Sequence, residues 1–177
     1  PYTIIERSGY KIAVLGLITS AVPNWLPPEL YSGIEFSDMV ETARHWMAVI
    51  EKEDPDIIVG LFHSGWNPNE NGRDDDNYDE NGTVAVAWDV PGFDIIFAGH
   101  DHRIVNEKFV NSAGDTVLIL DGGSRSEKIA RADITFFNDE TSGKKKKLLK
   151  GSIIDVSKFD TDPGFMRKFG DRKKVID

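Results

Sequence analysis

Three of the four histidines in this chain follow apolar runs, in a spacing that bears on metal chemistry. His63 closes the run IIVGLF; His100 and His102 stand one residue apart after DIIFAG. Imidazole is the commonest protein ligand for borderline divalent ions. Three imidazoles suffice for one zinc with an open coordination position, whereas a two-metal site also needs bridging carboxylates. On an extended turn the two side chains of His100 and His102 diverge, so they serve one ion together or two adjacent ions separately. The competing reading is that a lone histidine after a strand is more often a solvated or hydrogen-bonded residue. His45 falls off the apolar face of a helical pattern and is read as solvent-facing.

The elements that must position these residues are legible as apolar runs. Thr3–Arg7 and Lys11–Ile18 read as a hairpin around Ser8-Gly9, its second arm buried on both faces. Pro23–Ser32, with three prolines, reads as a loop. Ser37 is expected to cap a helix from about Asp38 to Lys52, with Met39, Val40, Ala43, Trp46, Met47 and Ile50 on one face and Asp54-Pro55 as its stop. Asp56–Phe62, Phe93–Ala98 and Thr116–Leu120 read as buried strands. They end at His63-Ser64-Gly65, at Gly99-His100-Asp101-His102 and at Asp121-Gly122-Gly123-Ser124. In an open α/β sheet, functional groups collect at the carboxyl ends of strands, so these three turns are expected on one rim. Thr83–Val90 is expected as a short helix, Ile129–Phe137 as a strand and Gly151–Val156 as another. Lys144–Lys147 reads as a solvated turn or linker, and the last stretch as helical or loose.

Length and composition narrow the classes. A chain of 177 residues with 40% hydrophobic and 29% charged residues is a globular single domain. A net charge of −9 argues against a nucleic-acid polymer or an anionic membrane as partner, though a bound metal reverses the field locally for a phosphate-bearing substrate. Without cysteine, any metal must be held by His, Asp, Glu or Asn, donors suited to Mn, Zn, Fe or Mg. No apolar run reaches the ~20 residues of a membrane span. The chain opens at Pro1 rather than Met, and its natural start is expected upstream.

Other features carry blander readings. Asp121 follows a strand, but one aspartate does not complete a dinuclear site. Arg73–Gly82 partly resembles a calcium loop from Asn77. Its first position is Asn and its twelfth is Trp88 rather than Glu, so a solvated acidic loop is favoured. DGGSRS is either a phosphate cradle with Arg125 beside it or, preferably, a tight turn. Trp66 could stack on a base but more commonly such a residue packs locally.

IIVGLFHSG, GFDIIFAGHDH and TVLILDGGSRSEKIARADITF together resemble the calcineurin-like metallophosphoesterase superfamily. The branch is that of 5′-nucleotidases and 2′,3′-cyclic-nucleotide phosphodiesterases. The opening PYTIIERSGYKIAVLGLIT resembles the hairpin that follows the Gly-Asn-His motif there, and the likeness extends from Pro1 to about Phe137. The resemblance implies an α/β (α+β) fold, half of a metallophosphoesterase-type β-sandwich flanked by helices. Residues 1–177 would be a single partial domain, the C-terminal part of a catalytic domain, with residues 138–177 as a tail or linker.

The resemblance further implies two divalent ions at one rim in the intact enzyme. His63 and His100 resemble ligands of the second ion and His102 a ligand of the first, while Asp101 fills the variable position of Gly-His-x-His without a ligand role. The family's Asp-x-His, bridging aspartate and Asn-His step have no counterpart in this sequence, so no catalytic residue is assigned to the chain itself. The implied reaction is hydrolysis of nucleotides or other phosphate esters by metal-activated water, with the isolated chain inactive for want of the N-terminal ligands. Two alternatives stand beside it: a non-catalytic binding or structural module, and a mononuclear zinc hydrolase using all three histidines. The isolated chain is expected to self-associate, and a periplasmic or cell-surface location follows from the branch.

Overall fold

The computed structural model of the protein describes residues 1–68, 80–140 and 145–173. Its centre is a six-stranded sheet in the order β1-β2-β3-β4-β6-β5. The strands are β1 (Tyr2–Arg7), β2 (Tyr10–Ile18), β3 (Ile57–His63), β4 (Ile95–Phe97), β5 (Ile104–Val110) and β6 (Thr116–Gly122). β2, β3, β4 and β6 run parallel, and the edge strands β1 and β5 pair antiparallel to β2 and β6. The carboxyl ends of the four parallel strands therefore share one rim, as the three polar turns lead one to expect.

Strand alternation sends successive side chains to opposite faces, and each face has its own cover. On one face Ala13, Leu15, Ile58, Phe62, Ile96, Val117 and Ile119 pack beneath the helices α1 (Met39–Ile50) and α2 (Gly82–Asp89). On the other, Ile57, Val59, Ile95, Leu118 and Leu120 meet a two-stranded antiparallel sheet of β7 (Lys128–Asn138) and β8 (Lys145–Asp155). The architecture is α+β: a mixed sheet and an antiparallel hairpin with, among the described residues, three α-helices, the third being α3 (Pro163–Lys173).

Several expectations are corrected in detail. Asp38, not Ser37, caps α1: its extended backbone lets its carboxylate accept the Glu41 N–H at 2.8 Å. The helix then tightens into a 3-10 turn, Glu51–Glu53, and Asp54 ends it in the left-handed region at φ 50°. Pro23–Ser32 holds two short 3-10 turns, Val22–Asn24 and Pro28–Tyr31. The second hairpin arm is buried fully only on the helix side. Ile12 and Val14 are half-buried under the small sheet, and Ile18 is exposed.

Lys145–Lys147 is not a linker but the start of β8, facing Phe136, Phe137 and Asn138 of β7. Lys146 and Lys147 are tolerated there because their ammonium groups find the carboxylates of Asp139 and Asp94. Lys147 reaches Asp94 at 2.7 Å and the Asp56 carbonyl at 3.0 Å, which ties the hairpin to the amino ends of β3 and β4. The expected tail over 138–177 accordingly contains a paired strand. β8 also approaches the large sheet closely. A Cβ on Gly151 would lie 2.1 Å from Asn106 Oδ1 and 2.7 Å from Leu120 Cδ2.

Candidate metal centre

The site begins where β3 ends. The His63 carbonyl accepts the Thr19 N–H at 3.0 Å, locking the ends of β2 and β3 together. Beyond it, Ser64 is buried, its Oγ donating to the Glu80 carbonyl at 2.8 Å and its own carbonyl accepting from Thr83 Oγ1 at 2.9 Å. The Gly65 N–H donates to the same Glu80 carbonyl at 2.9 Å. The Trp66 N–H donates to Asp101 Oδ2 at 3.0 Å, joining the turn after β3 to the turn after β4. Gly65 is closely packed at this junction. A Cβ there would lie 2.1 Å from Asn81 Oδ1 and 3.1 Å from the Asp101 Cβ.

This clamp brings His63 and His100 side by side, with ring centroids 5.2 Å apart and planes at 69°. His100 and His102 both have positive φ, 93° and 60°, a conformation that costs roughly 1–3 kcal/mol each in a non-glycine residue. His102 is exposed and does not join the other two at a single point. Among the described residues, no three His, Asp or Glu side chains are placed to hold one ion. His45 lies on α1 against Trp46, away from the rim.

Two residues at the site carry no signal in a single sequence. Trp25, half-exposed after β2, stacks on His100 with centroids 4.9 Å apart and planes at 24°. Glu80 places Oε1 3.4 Å from His100 Nε2. Position at the rim end of a predicted strand was the only available pointer to Trp25. Glu80 was hidden in what reads as a solvated acidic loop. Residues 69–79 of that loop, including Asn77 and Asp79 of the calcium-like spacing, lie outside the described residues.

The carboxylates set the electrostatics. Asp121 is buried at 3% exposure: Oδ1 accepts the Gly123 N–H at 2.7 Å, while Oδ2 is buried with no hydrogen-bond partner among the described residues. Burial pushes its carboxyl up, the Gly123 bond opposes this, and the nearby Asp101 charge adds to the rise. Because Asp121 takes the Gly123 N–H, DGGSRS behaves as the turn between β6 and β7, with Arg125 exposed on it at φ 61°. Trp66 is packed rather than open to a base. It is 2% exposed, edge-on to Phe109, with its indole N–H donated to Glu107.

Comparison with known proteins places this rim in context. No family model matches the chain. Protein UshA of Yersinia enterocolitica is 33% identical over 176 residues, covering 89% of this chain and 30% of that protein. The 5′-nucleotidase of Vibrio cholerae is 37% identical over 108 residues, 59% of this chain and 19% of its own. The crystal structure of the calcineurin-like phosphoesterase YfkN from Bacillus subtilis superposes with a TM-score of 0.74 at 19% identity, covering 99% of this chain and 57% of that one.

The chain belongs to the calcineurin-like metallophosphoesterase superfamily. Within it, the relatives fall in the 5′-nucleotidase and 2′,3′-cyclic-nucleotide phosphodiesterase branch. The chain spans less than a third of the length of these curated relatives. Metallophosphoesterases are metal-dependent, and this rim offers donor types suited to a divalent ion, with no three of them converging among the described residues. Two imidazoles stand side by side at a strand-end rim, a buried carboxylate oxygen of Asp121 lacks a hydrogen-bond partner among the described residues, and the carboxylates of Glu80 and Asp101 lie close by.

Proposed function

We propose that this chain supplies the histidine side of a two-metal phosphohydrolase centre acting on nucleotides or related phosphate esters. The observation that carries the proposal is the pair of imidazoles, His63 and His100, held 5.2 Å apart at the carboxyl ends of β3 and β4. His63 and His100 would bind one ion, and His102, on its divergent exposed turn, the other. Divalent ions bound there supply Lewis-acid neutralisation of phosphate charge and acidification of a water. The chain's own residues fix the geometry. Asp101 holds the Trp66 backbone so that both histidine turns keep their spacing, and Trp25 shields one face of His100 from water. No residue of the chain is assigned proton transfer to the leaving group.

The carboxylates that would bridge two ions have no counterpart in these 177 residues, so the chain alone is expected to turn over phosphate esters little or not at all. Ile18, Leu61 and Ile104, each more than half exposed at the rim end of the face that β7 and β8 cover, would drive self-association of the isolated chain. A periplasmic or cell-surface location belongs to the same proposal.

The test exchanges residues 1–137 into the Bacillus subtilis nucleotide phosphoesterase and assays manganese-dependent hydrolysis of 2′,3′-cyclic AMP and 5′-AMP. Hydrolysis that disappears with His100→Ala is the expected result. A folded exchange protein without hydrolysis, or vigorous hydrolysis by the 177-residue chain alone, would overturn the proposal.

A further inference from the structure

His100 is the most tightly framed of the three histidines, and its frame points to a role for Glu80. Its side chain is 22% exposed. One face lies against Trp25, the His63 ring stands beside it, and the Nε2 edge meets Glu80 Oε1 at 3.4 Å. Glu80 is itself fixed from behind. Its carbonyl accepts both the Ser64 hydroxyl at 2.8 Å and the Gly65 N–H at 2.9 Å, so it is bolted to the turn that carries His63. One residue thus touches both histidine turns, by its backbone on one side and its carboxylate on the other.

We infer that Glu80 is a positioning residue: its carboxylate accepts the Nε2–H of His100, fixes that tautomer, and leaves Nδ1 as the nitrogen that binds an ion. The chemical reason is general. A neutral imidazole offers one lone pair, and the nitrogen that carries the proton is set by the hydrogen bond it makes. A carboxylate behind a ligating imidazole also raises its basicity and its affinity for a metal. Trp25 completes the arrangement by blocking rotation of the ring away from Glu80. The tautomer part stands on the contacts of His100 alone, and the affinity part rests on the metal reading above.

The experiment records long-range proton–nitrogen correlation spectra of the His100 ring in the 177-residue chain, with chelator and above the histidine titration range. Zinc binding is then measured by calorimetry for the same chain, Glu80→Ala and Glu80→Gln. In the native chain His100 is expected as a single Nε2–H tautomer. Glu80→Ala should mix the tautomers and weaken zinc binding by about 10–100-fold. Glu80→Gln, whose side-chain oxygen can still accept, should retain the tautomer. An Nδ1–H tautomer or a free mixture in the native chain would overturn the inference without any variant, as would unchanged zinc affinity in Glu80→Ala. A native chain that keeps the Nε2–H tautomer but binds no zinc would instead sink the metal reading and leave the tautomer assignment standing.

Discussion

Gly65→Ala should damage the fold and the site together, because Gly65 is where the two histidine turns touch. Its added Cβ would meet Asn81 Oδ1 at 2.1 Å and the Asp101 Cβ at 3.1 Å, the first far inside any tolerable contact. Relief requires either Asn81 or the turn to move. Moving the turn stretches the Gly65 bond to Glu80 and the Trp66 bond to Asp101. Overpacking of this kind costs about 1–3 kcal/mol, and each weakened hydrogen bond adds roughly 0.5–1.5 kcal/mol. A total of about 2–6 kcal/mol corresponds, for a domain of this size, to a melting temperature lower by roughly 4–24 °C. The assay is thermal unfolding followed by circular dichroism in chelator, with Gly16→Ala as the control. A Cβ on Gly16 meets only the Pro1 carbonyl, at an ordinary 3.6 Å. If Gly65→Ala melts with Gly16→Ala, the turn is not the tight junction described, and the argument that it fixes His63 against His100 fails.

Two aspartates should respond to pH in opposite senses. Burial pushes Asp121 above the ordinary 3.8, so between 3.8 and its raised value the folded chain holds a proton that the unfolded chain has lost. Stability then falls as pH rises through that window. Asp121→Asn, in chelator, should raise the melting temperature near neutral pH and give no gain below the ordinary carboxylate range; an equal gain at both ends would contradict the burial argument. The Lys128 ammonium, 2.6 Å from Asp155, and the Ser157 bonds hold Asp155 well below its usual 3.8. Its support for the β7–β8 hairpin is present above 3.8 and fades as pH falls below it. Hydrogen exchange of the hairpin amides should therefore quicken on acidification, and Asp155→Asn should remove that dependence. Ile119→Ala, at a fully buried position under the helices, should cost about 2–5 kcal/mol in denaturant unfolding.

The apolar strands were readable because both their faces are covered. β3, β4 and β6 appear as Ile-, Val-, Leu- and Phe-rich runs, β3 interrupted by Gly60, and each stops at its histidine or aspartate turn. β5 escaped notice because it is an edge strand. Of IVNEKFV only Val105 is buried, and the rest alternates too weakly to stand out from a loop. β8 was half-hidden because its lysines look like solvent, yet they lie across from Phe136 and Phe137 and reach Asp94 and Asp139. The common rim of His63, His100 and His102 was legible from strand ends alone. Trp25 and Glu80 were not, since their link to His100 exists only once the chain has folded.

The measurement that bears most directly on the central claim is divalent-ion binding by the chain and its single histidine variants. Zinc or manganese titrated by calorimetry should bind the native chain and His45→Ala alike, and bind His63→Ala or His100→Ala about tenfold or more weakly. Equal binding by all four proteins would contradict a metal centre at this rim.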